Sequence, residues 1–485
     1  MVAALAFRLL EPVRVGLMGA SLPPAAHSTE ERSRQPMKAL RNTAMAEDNS
    51  ILAPAPSPWR LVQIQAGCID RCRTADPPEN RLPQGPAEPI RVLSVFGTRP
   101  EAIKLAPVVT ELERRPGIIS KVCVTAQHRE MLDQVLGVFG VAPDYDLHLM
   151  RPNQTLPQLA ASVLGRLEAI LQSERPDWVL VQGDTTTATA ATLAAFYARI
   201  KVGHIEAGLR SHDKWQPFPE EINRRVAGVI ADLHFAPTEL CRQNLLREGV
   251  PESRVAVTGN TVIDALQWIL SQPWDPQSLN GARLALEDRG AKLVLVTAHR
   301  RENFGDPITR ICAALRALAE RYGNRIRLLY PVHRNPAIWE PVHRHLSGIP
   351  NITLVPPLGY LPLVQVMKRA YLVMTDSGGI QEEAPALGVP TLVFREVTER
   401  PEAVESGNVR LVGSDQRRIV GEAVRLLDNP DEHLRMAQAV NPYGDGHAAA
   451  RVASALLGES FVPFGPSSAR CERGLFSAHW ADRTT

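Results

Sequence analysis

From residue 90 onward the chain alternates between short runs that are apolar at nearly every position and longer segments with helical spacing. The runs are VLSVF at 92, KVCVT at 121, WVLVQ at 178, KVGHI at 201, LHFAP at 233 and VAVTG at 255. A second set follows with LVLVT at 293, IRLLYPV at 326, ITLVP at 352, YLVMT at 371, TLVF at 391 and VRLVG at 409. A strand with one face in water alternates apolar and polar residues, whereas a strand apolar throughout is covered on both faces, as in parallel sheets flanked by helices. The pattern predicts an α/β protein with two sets of six parallel strands, each set a doubly wound, Rossmann-like domain. Ligands of such sheets bind beyond the carboxyl ends of the strands, so two facing domains predict one cleft between them.

The same reading sets domain limits. The first domain is expected over 90–259, a linker near Gly259 to Asp264, and the second domain over 260–444. A final helix, about His447 to Leu457 within 445–458, is expected to return to the first domain, followed by a flexible tail over 459–485. Residues 1–89 hold 12 of the 40 prolines, mixed charges and no sustained period, and read as a flexible leader. Met37 and Met45 offer alternative starts, and Glu30, Glu31, Glu47 and Asp48 argue against a transit signal.

Composition narrows the function. A chain of 485 residues with 44% hydrophobic residues can bury more than one core. A formal charge of +2 lacks the basic excess of a general nucleic-acid binder. Six cysteines give no disulfide framework, and Cys68 and Cys72 lack a second pair at zinc-ligand spacing, so no metal is expected. No apolar run reaches the roughly 18 residues that span a bilayer, and Arg8 interrupts the opening VAALAF. The expectation is a soluble, cytoplasmic protein.

Chemistry-bearing residues gather at the predicted strand ends. In VLSVFGTRPEAIKLAP the strand runs into Gly97, read as a tight turn, with Arg99, Glu101 and Lys104 just beyond; two cations there suit a phosphorylated ligand. WVLVQGDTTTATAATLAAFYAR delivers Asp184 to the start of a helix, where an N-cap is the structural alternative. In VGHIEAGLRSHDKWQPFPEEINRR, Glu206 ends a strand, and Glu220 and Glu221 open a helix, where carboxylates also suit the helix dipole. Carboxylates converging on one partly dry cleft raise one another's pKa and make proton donors and acceptors near neutral pH. In the second half, LVLVTAHRRENF places His299, Arg300 and Arg301 after a strand. YLVMTDSGGIQEEAPALG sets Ser377, Gly378 and Gly379 where backbone N–H groups of a helix N-terminus face an anion, with Glu383 one turn on. A lone SGG recurs in many turns; with His299, and with Arg400 in VTERPE, it reads as a nucleotide-diphosphate site. Neither G-x-G-x-x-G nor G-x-x-x-x-G-K-[ST] occurs, so hydride chemistry with NAD and P-loop phosphoryl transfer lose ground.

Together FGTRPEAIKLAP, TAQHREMLDQVL, QGDTTTATAATLAAFY, GHIEAGLRS, PFPEEINRR, TGNTVIDAL, TDSGGIQEEAPALG, VTERPEAV and NPYGDGHA resemble the non-hydrolysing UDP-N-acetylglucosamine 2-epimerases, collinearly from about Ile90 to Leu457. The resemblance implies the GT-B architecture, no cofactor, and interconversion of UDP-N-acetylglucosamine and UDP-N-acetylmannosamine for bacterial surface polysaccharide precursors. It implies acid–base roles for Asp184, Glu206 and Glu220, with the order of proton removal and return left open, and a further catalytic role for His299. It implies that Arg99 and Lys104 engage the diphosphate or orient the first-domain loop, and places His299, Ser377, Gly378, Gly379 and Arg400 on the UDP phosphates and sugar, Glu383 on the ribose, and Leu358 and Leu363 against the uracil. Relatives can carry an aromatic side chain at the position of Leu363, which leaves uracil stacking open here. A second substrate molecule acting as an activator would match Gln127, Glu130, Arg300 and His333, and the expected assembly is a homodimer.

The sugar C2 proton has no neighbouring carbonyl and is not acidic. Without a nicotinamide site, loss of UDP from C1 together with the C2 proton, through a 2-acetamidoglucal, is the favoured route. Preset donors would stabilise the leaving diphosphate by several kcal/mol, and acid–base groups would add roughly 10² to 10⁴ in rate. The rivals are a GT-B UDP-sugar glycosyltransferase, a hydrolysing 2-epimerase and a catalytically silent sugar-nucleotide sensor.

Overall fold

The computed structural model describes residues 88–465, apart from 126–128, 152–153 and parts of 276–289. The proline-rich leader, the end of the tail and Gln127 lie outside the described residues, and for Glu130 only the backbone is described.

The first sheet contains β1 (Ile90–Phe96), β2 (Ile118–Val124), β3 (Tyr145–Asp146), β4 (Trp178–Gln182), β5 (Lys201–Ile205), β6 (Leu233–Ala236) and β7 (Val255–Val257). Their spatial order is β3-β2-β1-β4-β5-β6-β7. The second contains β8 (Lys292–Thr297), β9 (Ile326–Pro331), β10 (Ile352–Val355), β11 (Leu372–Thr375), β12 (Thr391–Val393) and β13 (Val409–Leu411), in the order β10-β9-β8-β11-β12-β13. Every strand pairing within the two sheets is parallel. Each expected apolar run is a strand, and Val95, Phe96, Val179, Leu180, Leu295 and Val373 are buried among helices on both faces. The first sheet has seven strands rather than six. The extra one, β3, spans two half-buried residues, too few to show a period. In both sheets the order reverses beside the first strand of the set, β1 or β8, which is where a doubly wound sheet opens a crevice.

Two local expectations change. Gly97 is required by a close approach and not by its own turn: a Cβ there would stand 1.9 Å from Thr125 Oγ1. The segment expected to link the domains is the start of a helix, Thr261–Ser271, whose N-cap Asn260 accepts from the Val262 N–H at 3.0 Å. That helix packs on the Arg99–Arg114 helix of the first sheet and on the Tyr360–Arg369 and Gly378–Ala386 helices of the second, so it is a shared wall. Phe139 continues the wall, stacked between Trp268 and Tyr360 with centroids 6.4 Å from each. The Ala448–Leu456 helix packs on the Arg99–Arg114 helix, and Asp264 caps it by accepting from Ala448 and Ala449 N–H at 3.2 and 2.9 Å.

Candidate active site

The loop after β1 enters the Arg99–Arg114 helix through a capping box of Thr98 and Glu101. The Glu101 carboxylate accepts from the N–H groups of Gly97 and Thr98 at 3.0 and 2.8 Å and from the Thr185 hydroxyl at 2.6 Å. It therefore ties the loop after β1 to the loop after β4, and burial raises its pKa against those bonds. One turn further on, the buried Lys104 ammonium lies 2.5 Å from Glu206 and 3.0 Å from Glu382. Lys104 is thus held between one carboxylate from each domain. Burial pulls Lys104 down, yet Glu206 and Glu382 outweigh it and its pKa ends above the ordinary lysine value.

After β4, Asp184 is not the helix cap. Thr185 takes that position, accepting from the Ala188 N–H at 3.0 Å, and Asp184 stands one residue earlier. The Asp184 carboxylate pairs with Arg224, and its carbonyl accepts from the Asn223 amide at 2.9 Å. Glu220 opens the Glu220–Ile230 helix beside Asp184. Burial raises its pKa, the charge of Asp184 adds to the shift, and its Oε2 is buried with no hydrogen-bond partner among the described residues. Glu221 points the other way and is structural: it accepts from the Ser211 N–H at 3.0 Å and pairs with Arg224 at 3.0 Å and Arg225 at 3.1 Å.

Glu206 follows β5 directly, with φ at +63°, a conformation costly for a residue with a Cβ. Its carboxylate meets Lys104, the Gln182 amide and, at 3.6 Å, Arg400 from the other domain. Arg400 is also paired with Glu382 at 2.6 Å and with Glu399. These buried groups form one knot across the domain junction. Burial lowers Arg400, but the three carboxylates raise it well above the usual guanidinium range. Burial raises Glu382 and Glu399, but their cations outweigh it and hold both below the ordinary carboxylate value. Glu206 is the exception: burial wins over Lys104, and its pKa is raised.

The second domain builds its side of the cleft on Asp376. One of its oxygens accepts from the N–H groups of His299 and Arg300, both at 2.8 Å, and from the Asn303 amide at 2.9 Å. The His299 ring sits 3.4 Å from the other oxygen and stacks on His333 with centroids 5.8 Å apart. Burial lowers the His299 pKa against the pull of Asp376, favouring a neutral ring. Arg300 faces the first domain, where its charge acts on Glu220. Ser377 is the N-cap position of the Gly378–Ala386 helix. A Cβ at Gly378 would lie 2.9 Å from the Arg400 guanidinium, so glycine there admits the arginine to the helix N-terminus. On that helix Glu383 accepts from the Tyr360 hydroxyl at 2.7 Å, and burial raises it to about 7. Arg99 reaches across to the Leu358 carbonyl at 3.4 Å, and Leu358 and Leu363 are half-buried against the core.

The structure thus joins Lys104, Glu206 and Arg400 directly, sets Asp184 beside Glu220, and brings Arg99 to Leu358 and His299 to His333. Gln182, Arg224, Asp376, Glu382, Glu399 and Tyr360 were not singled out from the sequence. Arg224 carried a usable signal, lying three residues after Glu221 and four after Glu220 on a helix face.

Two doubly wound parallel sheets, with carboxylates at the strand ends of one facing an arginine-bearing helix N-terminus of the other, define a two-domain protein of the GT-B class. The profile of the UDP-N-acetylglucosamine 2-epimerases matches residues 110–457. A Salmonella typhimurium protein named UDP-N-acetylglucosamine 2-epimerase is 54% identical over 371 residues, covering 76% of this chain and 98% of that one. The Neisseria meningitidis UDP-GlcNAc 2-epimerase, solved bound to UDP-GlcNAc, is 47% identical with a TM-score of 0.72 over 76% of this chain and all of that one. An S. aureus protein solved with UDP is 43% identical with a TM-score of 0.72, over 78% of this chain and all of that one. The chain belongs to the UDP-N-acetylglucosamine 2-epimerase family.

Proposed function

We propose that this chain interconverts UDP-N-acetylglucosamine and UDP-N-acetylmannosamine by reversible elimination of UDP. The observation that supports this most strongly is the meeting, across one cleft, of raised first-domain carboxylates with the cationic helix N-terminus of the second domain. A carboxylate of the Asp184, Glu206, Glu220 group takes the C2 proton while the C1–O bond breaks. The electron pair of the C2–H bond becomes the C1=C2 bond of 2-acetamidoglucal, and the C1–O pair leaves on UDP. Return of a proton to the opposite face of C2, with UDP adding back to C1, gives the epimer.

In this reading Arg400, Ser377, Gly378, Gly379 and His299 hold the diphosphate, whose charge grows as C1–O breaks. Arg99 and Lys104 line the first-domain side, Glu383 meets the ribose, and Leu358 and Leu363 lie beside the uracil. His299, neutral by burial, donates a hydrogen bond rather than a full charge. Arg300 and His333 adjoin this site and are proposed, with Gln127 and Glu130, to contact a second substrate molecule. Relatives solved with UDP-GlcNAc or UDP support the substrate class. Incubation with UDP-N-acetylglucosamine in heavy water, followed by proton NMR at C2, tests the reaction. Deuterium at C2 in both UDP-sugars is expected. Free N-acetylmannosamine would indicate hydrolysis, and unlabelled, unepimerised substrate would leave a transferase or a sensor.

A further inference from the structure

His204 is fully buried in β5, in register with Val181 of β4 and His234 of β6. Its Nε2 lies 2.7 Å from the carbonyl oxygen of Gly183. A carbonyl only accepts, so Nε2 carries the hydrogen, and in the neutral ring Nδ1 is a bare acceptor. That Nδ1 is buried with no hydrogen-bond partner among the described residues. His234 is its register partner, and the charges of Arg210 and Asp184 also act on the ring. Burial first, with His234 and Arg210 adding, pushes the imidazolium down to about 3 against the opposing pull of Gly183 and Asp184, so the ring is neutral at any working pH. A phenylalanine would fill the same space without stranding a nitrogen, and one hydrogen bond is all this costly side chain makes.

The accepting carbonyl belongs to the turn that carries Asp184. Gly183 has φ at +69° and its N–H donates to the Ile205 carbonyl at 2.9 Å. Beyond it, Asn223 holds the Asp184 carbonyl and Arg224 holds the carboxylate. We propose that His204 is a positioning residue for proton transfer: its Nε2–H fixes the Gly183 carbonyl and thereby the line along which Asp184 enters the cleft. This rests on the reading of Asp184 as an acid–base group in the proposed reaction.

Four variants of the full chain test it: His204→Gln, His204→Asn, His204→Phe and, as reference, Asp184→Asn. The Gln amide reaches the Nε2 position and keeps the donor; the Asn amide is too short, and Phe has none. A misplacement of about 1 Å can cost roughly 10² in rate, so kcat should fall about 30- to 100-fold in the Asn and Phe variants. The Gln variant should stay within about fivefold of the parent, and KM and UDP affinity should move less than about threefold in all three. If Phe fails to fold, the Gln and Asn pair, alike in polarity, decides the matter. Equal kcat in Gln and Asn, or losses that fall on KM and UDP affinity as heavily as on kcat, would overturn the proposal. Full turnover in Asp184→Asn would instead remove the reading on which it rests. An inactive Asp184→Asn beside fully active His204→Asn would defeat the positioning role alone.

Discussion

Two groups of carboxylates share the cleft and differ in almost every physical respect. Glu206 and Glu382 are locked with Lys104 and Arg400 in a dry knot that crosses the domain junction, their side chains 6% and 1% exposed. Asp184, with a side chain 28% exposed, and Glu220 stand at the rim, one held by a single arginine and the other with a buried oxygen left without a partner. Charges removed from water on both sides of a junction fix geometry because each must stay matched to opposite charge, and here Lys104 and Arg400 each meet more than one carboxylate. Carboxylates at a wet rim can exchange protons with solvent and with a bound sugar. In the proposed reaction, the knot would chiefly position and the rim would chiefly carry protons, with Glu206, raised by burial, joining the two.

Removing the rim carboxylate should have the largest effect. Asp184→Asn is expected to lower kcat by about 10³ or more, consistent with losing general acid–base catalysis, while UDP affinity measured by calorimetry changes little. Cutting the knot should act differently. Arg400→Ala takes one of two cations from each of Glu382 and Glu399, leaving them Lys104 and Arg395, so the loss should reach at most the roughly 3–5 kcal/mol of a fully broken buried pair; UDP binding and thermal stability should drop together. Equal loss of turnover and binding in the two variants would erase the distinction.

Smaller effects sharpen it. Glu383 ionises near pH 7, and its charged form offers acceptors to a ribose, one oxygen being already taken by Tyr360. UDP-N-acetylglucosamine binding to Asp184→Asn should therefore tighten about three- to tenfold between pH 6 and 8, the size of one added hydrogen bond. The tightening should vanish when Glu383→Gln is added. Smallest of all, Leu363→Phe should strengthen UDP binding about two- to fivefold by giving the uracil an aromatic face; unchanged affinity would place the base elsewhere.

How much of this was legible in the chain follows from distance along it. The strands could be read because a sheet covered on both faces writes its burial into consecutive residues, as in WVLVQ and LVLVT. The two-residue β3 left no such trace. Asp184, Glu206 and Glu220 could be read because each follows a strand end or opens a helix in a loaded loop. Their partners could not: Lys104 and Glu206 are 102 residues apart, and nothing local in IQEEAP shows that Glu382 turns to Lys104 while Glu383 turns to Tyr360. His204 is hidden for a further reason. Inside an apolar strand it looks like one more core position, and only the carbonyl beside it gives its nitrogen a task.

The central claim is that the bond between C1 and the diphosphate oxygen breaks reversibly in the cleft. UDP-N-acetylglucosamine carrying oxygen-18 in the bridge between C1 and phosphorus tests it most directly, by phosphorus NMR of the recovered substrate. Rotation of freed UDP before it adds back should scramble the label into non-bridging positions. Epimerisation with the label still wholly in the bridge and with no 2-acetamidoglucal or UDP formed in the mixture would contradict the account.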